Sequence, residues 1–396
     1  MSSKLCIISE YNPFHFGHLY HLNESISKTN ADCKIAIISG NFVQRGEPSI
    51  INKWEKAKVA LAAGFDLVIE LPTLYAVSSA ENFANGAIKI ASQIRSDYIS
   101  FGTESGDLEK LKELSSLINK NEKKYISKVK EKIAEGFSYP KSQELVINEM
   151  FGNEFSGICK PNNILGLEYL KSLATISSNI IPITVKRDFE KSSSSDVRAL
   201  LRTPGFKTKS LKDSIPDFSY EVLNDNIENG NAVLSLKSFE KEIIYILRTI
   251  NDEKIKDIPD VPDNMLSNLK KVACSTNSLD ELIAALKNKS ITQARIQRIL
   301  LYVLLGITKS DIELSKRIIP YVRVLGMSEN GKKALSDFSK DAEVITSVKT
   351  FEKSCNNPEL LRMLEIDKRA TDIYTLAYAK GSVANLDYTM RIQNGI

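Results

Sequence analysis

All three histidines of the chain lie within one short segment near the N-terminus, and their spacing suits phosphate chemistry. They are His15, His18 and His21, with Gly17 between the first two. An imidazole N–H can donate a hydrogen bond to a phosphorus centre that gathers negative charge during nucleotidyl transfer. Gly17 leaves out a side chain where a phosphate would approach the backbone. We therefore predict that His15 and His18 bind a phosphate. His21, one turn further along the helix, is predicted either to pack in the core or to support the site through another side chain.

A strand, a tight turn and a helix are predicted to position these side chains. The apolar run 5–8 indicates a buried strand, and Pro13 must leave it because proline cannot donate to a strand ladder. Leu19, Leu22 and Ile26 then follow at helical spacing. The first turn of a helix has unpaired backbone N–H groups and a dipole that favours anions, so the predicted helix start suits a phosphate.

Two other interpretations of the histidines remain open. They could be ordinary packed or exposed side chains without a role in catalysis. They could also bind zinc, but no acidic or cysteine ligand follows His15 and His18 at a suitable local spacing. The strand before them, the helix after them and the glycine between them favour the phosphate site. No other metal site is predicted.

The composition indicates a soluble globular protein of two or three domains. The chain has 396 residues, of which 42% are hydrophobic and 26% are charged. Five scattered cysteines, without a C-x-x-C pair, are typical of reduced thiols in the cytoplasm. No apolar run approaches the roughly 20 residues of a membrane span, and no signal peptide is expected. The net charge of +4 is too small to indicate nucleic-acid binding by itself.

Strands and helices alternate over the first half of the chain, which predicts an α/β fold. Five apolar runs are the candidate strands, at residues 5–8, 34–39, 66–71, 98–101 and 180–185. This alternation is typical of a Rossmann-like parallel sheet, here five-stranded, with helices on both faces. We expect the catalytic domain to cover 1–205, with a lysine-rich helical insertion around 107–160. No further alternation follows, so 206–396 is predicted to be an all-α domain.

Two further segments carry groups that could contact phosphate or RNA. The loop 40–48 follows the second predicted strand and contains Arg45, which could serve a phosphate, a substrate carboxylate or only a surface turn. The stretch 110–132 has eight lysines and three glutamates. It is either a solvated helix face or a patch for an RNA backbone.

A second candidate phosphate cradle follows the last predicted strand. Serine hydroxyls and free amides at a helix start near Ser194, with Arg198 one turn in, could bind a phosphate. A serine-rich linker that caps the helix is the alternative. In the helical part, Lys289, Arg295 and Arg298 belong to a basic segment without acidic residues.

The N-terminal motif and several later ones together resemble one family. Glu10-Tyr-Asn-Pro-Phe-His-x-Gly-His-x-Tyr-His-Leu22 is similar to the opening motif of the bacterial tRNA(Met) cytidine acetate ligase family. That family lies in the nucleotidyltransferase superfamily with the H-x-G-H signature. Five more motifs agree, at residues 44–48, 66–72, 79–83, 161–166 and 294–306. The combination is far more specific than H-x-G-H alone.

The resemblance implies an enzyme that forms N4-acetylcytidine at the wobble position of elongator tRNA(Met) from acetate and ATP. Acetate would attack the α-phosphate of ATP, which arrives with magnesium, and acetyl-adenylate would form. His15 and His18 would stabilise this transfer. The helical domain, through Lys289, Arg295 and Arg298, would bind the tRNA and bring its anticodon loop to the adenylate.

The resemblance also implies which residues bind ATP. They are Ile7, Ile8, Ser9, Glu10, Tyr11, Asn12, Pro13, Phe14, His15, Phe16, Gly17, His18, Leu19, Tyr20, Gly102, Asn162 and Arg187. Ser194 and Arg198 are the candidates for the β- and γ-phosphates. The chain departs from the family in the loop 188–191, which is shorter than its counterpart and leaves the serine contacts less defined.

Two functions from other classes share part of this pattern. A small-molecule adenylyl- or cytidylyltransferase would use the same H-x-G-H site, but it would need little beyond its sheet. A non-catalytic RNA-binding protein would not need intact His15, Gly17 and His18. The oligomeric state is not predicted.

Overall fold

A mixed sheet with helices on both faces forms the frame of the molecule. The computed structural model describes residues 2–104, 106–158, 160–176, 179–188, 193–203 and 208–395. The strands are β1 (Lys4–Ser9), β2 (Cys33–Ser39), β3 (Phe42–Val43), β4 (Glu47–Pro48), β5 (Leu67–Leu71), β6 (Tyr98–Thr103), β7 (Ile181–Lys186), β8 (Val322–Met327), β9 (Val344–Ile345) and β10 (Gln393–Asn394).

At least one helix separates each pair of parallel strands that are consecutive in the chain. The first helices are α1 (Phe16–Thr29), α2 (Lys53–Ala62), α3 (Thr73–Ala76), α4 (Ala80–Gln93), α5 (Leu108–Lys120), α6 (Glu122–Ala134), α7 (Tyr139–Phe151), α8 (Pro161–Thr175) and α9 (Ser194–Arg202). The later helices are α10 (Thr208–Lys212), α11 (Asp217–Glu228), α12 (Glu240–Thr249), α13 (Asp252–Lys256), α14 (Asp263–Ser275), α15 (Leu279–Leu286), α16 (Gln293–Leu305), α17 (Lys309–Arg317), α18 (Glu329–Ala334), α19 (Val348–Ser354), α20 (Pro358–Thr375) and α21 (Leu386–Thr389). Within the described residues, none of these helices is long and apolar enough to cross a membrane.

The five predicted strands are confirmed, and all five are parallel. Their order in the sheet is β7-β6-β1-β2-β5. After β5 the chain crosses back past β1 to reach β6, so the strand order reverses between β1 and β6. Ligands of such sheets bind outside the carboxyl ends of the strands at this reversal. The histidine segment follows β1 directly, and it therefore lies where this fold binds its ligands.

Alternating side chains of the strands bury both faces of the sheet. In β2, Cys33, Ile35 and Ile37 face one core, whereas Ala36 and Ile38 face the other. Helices α4 and α8 cover the first face, and α1 and α2 cover the second. Parallel strands that are buried on both faces have nearly continuous apolar sequences, which is why these five could be predicted.

The expectation of an all-α C-terminal part is wrong in one respect. Strand β8 pairs antiparallel with β5 and extends the sheet, and β9 and β10 pair parallel with β8. The sequence hides this strand because Arg323 interrupts its apolar run. Arg323 is buried there because it pairs with Glu70 of β5 and Asp387 of α21. A charge that is buried only through distant partners cannot be recognised from the local pattern.

The lysine-rich stretch forms α5 and α6, where several of its charges are neutralised. Three ion pairs are Lys112–Glu109, Lys128–Glu149 and Lys132–Glu135. They lower the positive charge of this surface and favour the solvated helix face over the RNA patch. The predicted domain boundary after residue 205 lies outside the described residues, and the division of the chain there remains a prediction.

Candidate active site

The predicted strand, turn and helix are present at the N-terminal histidines. Strand β1 ends at Ser9, and α1 begins at Phe16 with His15 as its N-cap. The backbone of His15 is extended, with φ −141° and ψ 172°, as is usual for an N-cap residue. His15 and His18 therefore lie at a helix start and at the carboxyl edge of the sheet. The expected unpaired N–H groups are not found there, because Phe16 N–H donates to Ser214 O at 3.4 Å and His18 N–H donates to His15 O at 2.9 Å.

The two histidines cap this helix with their own side chains. His15 Nδ1 accepts the backbone N–H of Gly17 at 3.0 Å, and His18 Nδ1 accepts the backbone N–H of His15 at 3.3 Å. This is the reciprocal pattern of a capping box, which Ser or Thr usually forms with Glu or Gln. The ring centroids lie 3.8 Å apart, so the two imidazoles form one site.

Both imidazoles are neutral at neutral pH, and each keeps one N–H to donate. Because Nδ1 accepts a hydrogen bond in each ring, the proton is assigned to Nε2. Burial, followed by the charges of Arg187 and Arg198, lowers the pKa of His15 to about 4 against an opposing effect of Asp196. Burial and the neighbouring His15 hold the pKa of His18 well below its usual value. The pair can therefore donate two hydrogen bonds to an anion without carrying charge.

The third histidine faces the sheet. The Nε2 atom of His21 lies 2.9 Å from the Ser100 hydroxyl of β6, which lies 2.7 Å from the Ser25 hydroxyl. Ser25 also donates to the carbonyl of His21 at 2.6 Å. These bonds join α1 to β6, in line with the predicted packing role of His21.

Two buried cations hold carbonyl groups of the turn before α1. Lys56 Nζ of α2 donates to Glu10 O at 2.8 Å, and Arg198 Nη1 of α9 donates to Asn12 O at 2.8 Å. The Arg198 Nε atom also lies 3.4 Å from a carboxylate oxygen of Glu47. The Arg198 side chain thus contacts the backbone of the turn before α1, and its contact with the β- and γ-phosphates stays a prediction.

Two serines hold the next carbonyl groups of the turn. The Ser194 hydroxyl donates to Pro13 O at 3.4 Å, and the Ser219 hydroxyl of α11 donates to Phe14 O at 2.9 Å. Ser193 caps α9, so the predicted helix start is present beside the turn. Residues 189–192, which include most of the shortened loop, lie outside the described residues.

Lys56 and Ser219 were not predicted from the sequence. A signal for Lys56 exists, because Lys53, Lys56, Ala57 and Ala60 repeat at helical spacing and place two lysines on the buried face of α2. A lysine on an apolar helix face needs a partner, which is the reason to look for one. Nothing local marks Ser219, because its partner is about 200 residues away.

The motif at residues 44–48 forms a hairpin that is tied to the turn. The backbone N–H of Gln44 donates to a carboxylate oxygen of Glu10 at 2.8 Å. The side-chain amide of Asn12 donates to Pro48 O at 3.2 Å. Arg45 lies exposed between the two short strands. The choice among its phosphate, carboxylate and surface roles therefore remains open.

The opposite rim of the site is formed by β6 and α8. Glu104 accepts the backbone N–H groups of Asn162 and Asn163 at 3.3 and 3.1 Å, and the Asn163 side chain accepts the Glu104 N–H at 3.0 Å. These bonds fix the start of α8 against the end of β6. Gly102 lies in that strand, and no atom lies within 4 Å of the place where a Cβ would stand. This open space borders the predicted ATP site.

Arg187 follows β7 and lies close enough to His15 and His18 for its charge to affect both. Its backbone N–H donates to Thr103 O at 2.8 Å, which places it at the same edge of the sheet. Its charge lowers the pKa of both His15 and His18. The structure thus brings together the predicted residues from β1, α1, β6 and β7.

The basic segment of α16 lies against the hairpin. A Cβ on Gly46 would stand 2.5 Å from the backbone nitrogen of Arg298, so only glycine fits there. Arg295 and Arg298 both pair with Asp260, at 3.0 and 3.3 Å, and Lys289 is exposed. Of the predicted tRNA-binding residues, Arg298 therefore lies against the hairpin, and it already shares the carboxylate of Asp260 with Arg295.

Comparison with known proteins agrees with this geometry. The chain matches the profile of the HIGH nucleotidyl transferase family over residues 2–388. A tRNA(Met) cytidine acetate ligase from Caldanaerobacter subterraneus subsp. tengcongensis is 40% identical over 97% of this chain and 98% of its own length. A protein of the same name from Fusobacterium nucleatum subsp. nucleatum is 34% identical over 96% and 97% of the two chains.

Solved structures give the same relationship. The crystal structure of Thermotoga maritima TmcAL bound with α-thio ATP matches with a TM-score of 0.93 and 28% identity, over 99% of both chains. An apo form of that protein matches with a TM-score of 0.92. This chain belongs to the HIGH nucleotidyltransferase family and, within it, to the tRNA(Met) cytidine acetate ligases.

Proposed function

We propose that this chain activates acetate with ATP and transfers the acetyl group to N4 of the wobble cytidine in elongator tRNA(Met). The observation that carries the proposal is the pair His15 and His18, two neutral N–H donors at a helix start, in a chain of this ligase family. The relative from Thermotoga maritima binds α-thio ATP. That complex supports ATP as the nucleotide used here.

The first step would make acetyl-adenylate. A carboxylate oxygen of acetate attacks the α-phosphorus, the bond to the bridging oxygen of the β-phosphate breaks, and pyrophosphate leaves with the bonding electrons. Negative charge then grows on the α-phosphate oxygens, where the Nε2–H groups of His15 and His18 and the dipole of α1 can stabilise it. Orientation and charge stabilisation carry this step, and no covalent enzyme intermediate is needed.

The second step would use the activated acetyl group. The N4 amine of cytidine is a poor nucleophile and free acetate is a poor acyl donor, so the reaction needs the adenylate. The amine attacks the acetyl carbonyl, AMP leaves, and the amine loses a proton to give N4-acetylcytidine. The enzyme has to hold the anticodon loop over the bound adenylate, which is again a matter of positioning.

ATP would lie against residues 7–20, with Gly102, Asn162 and Arg187 on the opposite rim. The open space beside Gly102 and the charge of Arg187 near both histidines support this placement. Magnesium would enter bound to the ATP phosphates. The described residues include no cluster of three or more His, Cys, Asp or Glu side chains that could hold a metal ion.

The tRNA would approach along the hairpin and the start of α16. Arg45 is exposed on the hairpin, and Gly46 brings the hairpin onto the backbone of Arg298. Lys289 and Arg295 extend this basic surface. Arg295 and Arg298 already pair with Asp260, so RNA phosphates would have to compete with this carboxylate. The release of counterions from the RNA at each phosphate contact would favour the phosphates.

The deciding experiment incubates the protein with ATP, labelled acetate and total tRNA, digests the RNA and searches for labelled acetylcytidine. We expect the label to depend on ATP and on His18. Pyrophosphate release that requires a phosphate monoester instead of acetate would indicate a small-molecule nucleotidyltransferase. Binding of tRNA without any pyrophosphate release would indicate a non-catalytic RNA-binding protein.

A further inference from the structure

We propose that Lys56 is a positioning residue that fixes the Glu10–Tyr11 peptide, so that the Tyr11 N–H is directed towards the bound phosphates. Lys56 is buried on α2, and its ammonium donates to Glu10 O at 2.8 Å. This inference rests on the proposed ATP site, but it requires nothing of acetate or tRNA.

The peptide that Lys56 holds leads into a strained residue. Tyr11 has a φ of +46°, in the left-handed region that bulky side chains rarely adopt. Such a conformation persists only where the surroundings enforce it, and it is common at ligand sites. The ring of Tyr11 also lies edge-on to the rings of His18 and Phe14, each at a centroid distance of 4.9 Å. A change at Tyr11 would therefore reach the catalytic pair.

Peptide geometry explains how a carbonyl contact can serve the phosphate. In a planar trans peptide the N–H points away from the C=O. Lys56 holds the carbonyl of Glu10, and this contact fixes the direction of the Tyr11 N–H on the other side of the peptide. Backbone N–H groups at such a turn form an anion-binding concavity when they are held in one orientation.

Lys56 is almost completely buried, so its charged form is destabilised unless it makes a compensating interaction. Burial lowers the pKa of Lys56 to about 7, although Glu10, which follows β1, and Glu70 of β5 act in the opposite direction. The other cation of this helix face, Lys53, pairs with Glu70 and Asp387 at 3.0 and 2.7 Å. Lys56 can therefore lose its proton as the pH rises above about 7, and it lies next to the proposed phosphate site.

The experiment compares ATP binding by wild type, Lys56→Met and Lys56→Arg, with Lys58→Met as the matched control. Lys58 lies on the same helix but is about half exposed. We expect Lys56→Met to weaken ATP binding by about 10- to 100-fold, the usual effect of losing a charged hydrogen bond. Lys56→Arg should restore most of it, and the control should match wild type. The wild-type affinity for ATP should fall between pH 7 and 9, whereas that of Lys56→Arg should stay constant.

Several outcomes would overturn the proposal. It fails if folded Lys56→Met binds ATP as wild type does. It also fails if the Arg variant loses as much ATP binding and thermal stability as the Met variant, because Lys56 then only supports the fold. If Lys56→Met does not fold, Lys56→Gln replaces it, because glutamine is polar but carries no charge. It should bind ATP more weakly than Lys56→Arg, and equal affinities would overturn the proposal. A wild-type protein that binds ATP but forms no acetyl-adenylate would contradict the proposed function alone.

Discussion

His18 Nδ1 accepts the backbone N–H of His15 at 3.3 Å, so the second histidine of the pair closes the helix cap that the first one begins. The bonds that stabilise the start of α1 are also the bonds that assign the proton of each ring to Nε2. Helix capping and the proposed phosphate contact therefore depend on the same two side chains. An alanine substitution removes both, and a test of catalysis needs a substitution that keeps the cap.

His18→Gln is such a substitution, since glutamine at the third helix position can complete a capping box. We expect acetate-dependent pyrophosphate release to fall by about 10²- to 10³-fold, as for the loss of one donor to a transition-state oxyanion. Stability should change little. His18→Ala should show the same loss of rate and a further destabilisation of about 1 kcal/mol from the missing cap.

The control for this pair is His21→Gln, because His21 contacts Ser100 of the sheet. It should retain pyrophosphate release. Binding of tRNA, measured by filter retention, should be nearly unchanged in all three variants. A His18 variant that adenylates acetate normally but does not bind tRNA would contradict the roles assigned here.

The lowered pKa of His15 predicts how stability depends on pH. Its pKa is about 4 in the folded protein and near 6.5 when the chain is unfolded. Between these values the unfolded state binds more protons, so the free energy of unfolding should increase as the pH rises from 4 to 6.5. The contribution is at most roughly 3 kcal/mol, and it is complete above pH 6.5.

Urea unfolding at several pH values can isolate this contribution by comparing wild type with His15→Gln. The difference in stability between them should change over this pH range and stay constant above it. A constant difference throughout would mean that the imidazole is already protonated, or equally accessible, in the folded protein.

Gly46→Ala should damage the contact between the hairpin and α16. The new Cβ would stand 2.5 Å from the Arg298 nitrogen, and the φ of +78° disfavours any side chain. Gly64→Ala is the matched control, because Gly64 also has a positive φ, +105°, but no neighbour within 4 Å. We expect the control to cost about 1 kcal/mol from backbone strain alone, and Gly46→Ala to cost clearly more in thermal unfolding. Equal losses would show that the hairpin can move away from α16.

Replacement of Arg295 and Arg298 by glutamine should weaken tRNA binding. Neutral substitutions are preferable to charge reversal, because both arginines pair with Asp260 and a new carboxylate would repel it. The slope of log affinity against log salt should decrease by about one for each phosphate contact that is lost. Arg317→Gln is the control, since Arg317 pairs with Glu359 on α20. An unchanged salt slope would assign the two arginines a structural role only.

The sequence predicted the parts of this site that depend on local pattern. The five parallel strands are continuous apolar runs. The histidine segment is a contiguous motif, so its strand, turn and helix can be predicted from local sequence alone. The order of strands then follows from the fold class, so the meeting of β1, β6 and β7 residues was predictable as well.

The parts that the sequence did not predict are contacts between distant residues. Lys56 donates to Glu10 O and Arg198 donates to Asn12 O, and each pair is brought together only by the tertiary fold. No sequence pattern near either residue identifies its partner. Strand β8 was missed for the same reason, because the partners that neutralise the buried charge of Arg323 are distant in sequence. Buried charges of this kind are explained only by their partners.

Arg323 gives the last prediction, because its ion pairs join β8 to the rest of the sheet. It pairs with Glu70 at 3.3 Å and with Asp387, and Lys53 pairs with the same two carboxylates. All four side chains are at most 5% exposed, so loss of one cation leaves an uncompensated buried charge. Arg323→Met should therefore cost about 3–5 kcal/mol in chemical unfolding, and amide exchange should accelerate in β8 more than in β1. The double variant with Asp387→Leu should recover part of this loss, because Lys53 and Glu70 then remain as a balanced pair. A stable Arg323→Met protein with slow exchange in β8 would show that apolar packing alone holds the strand.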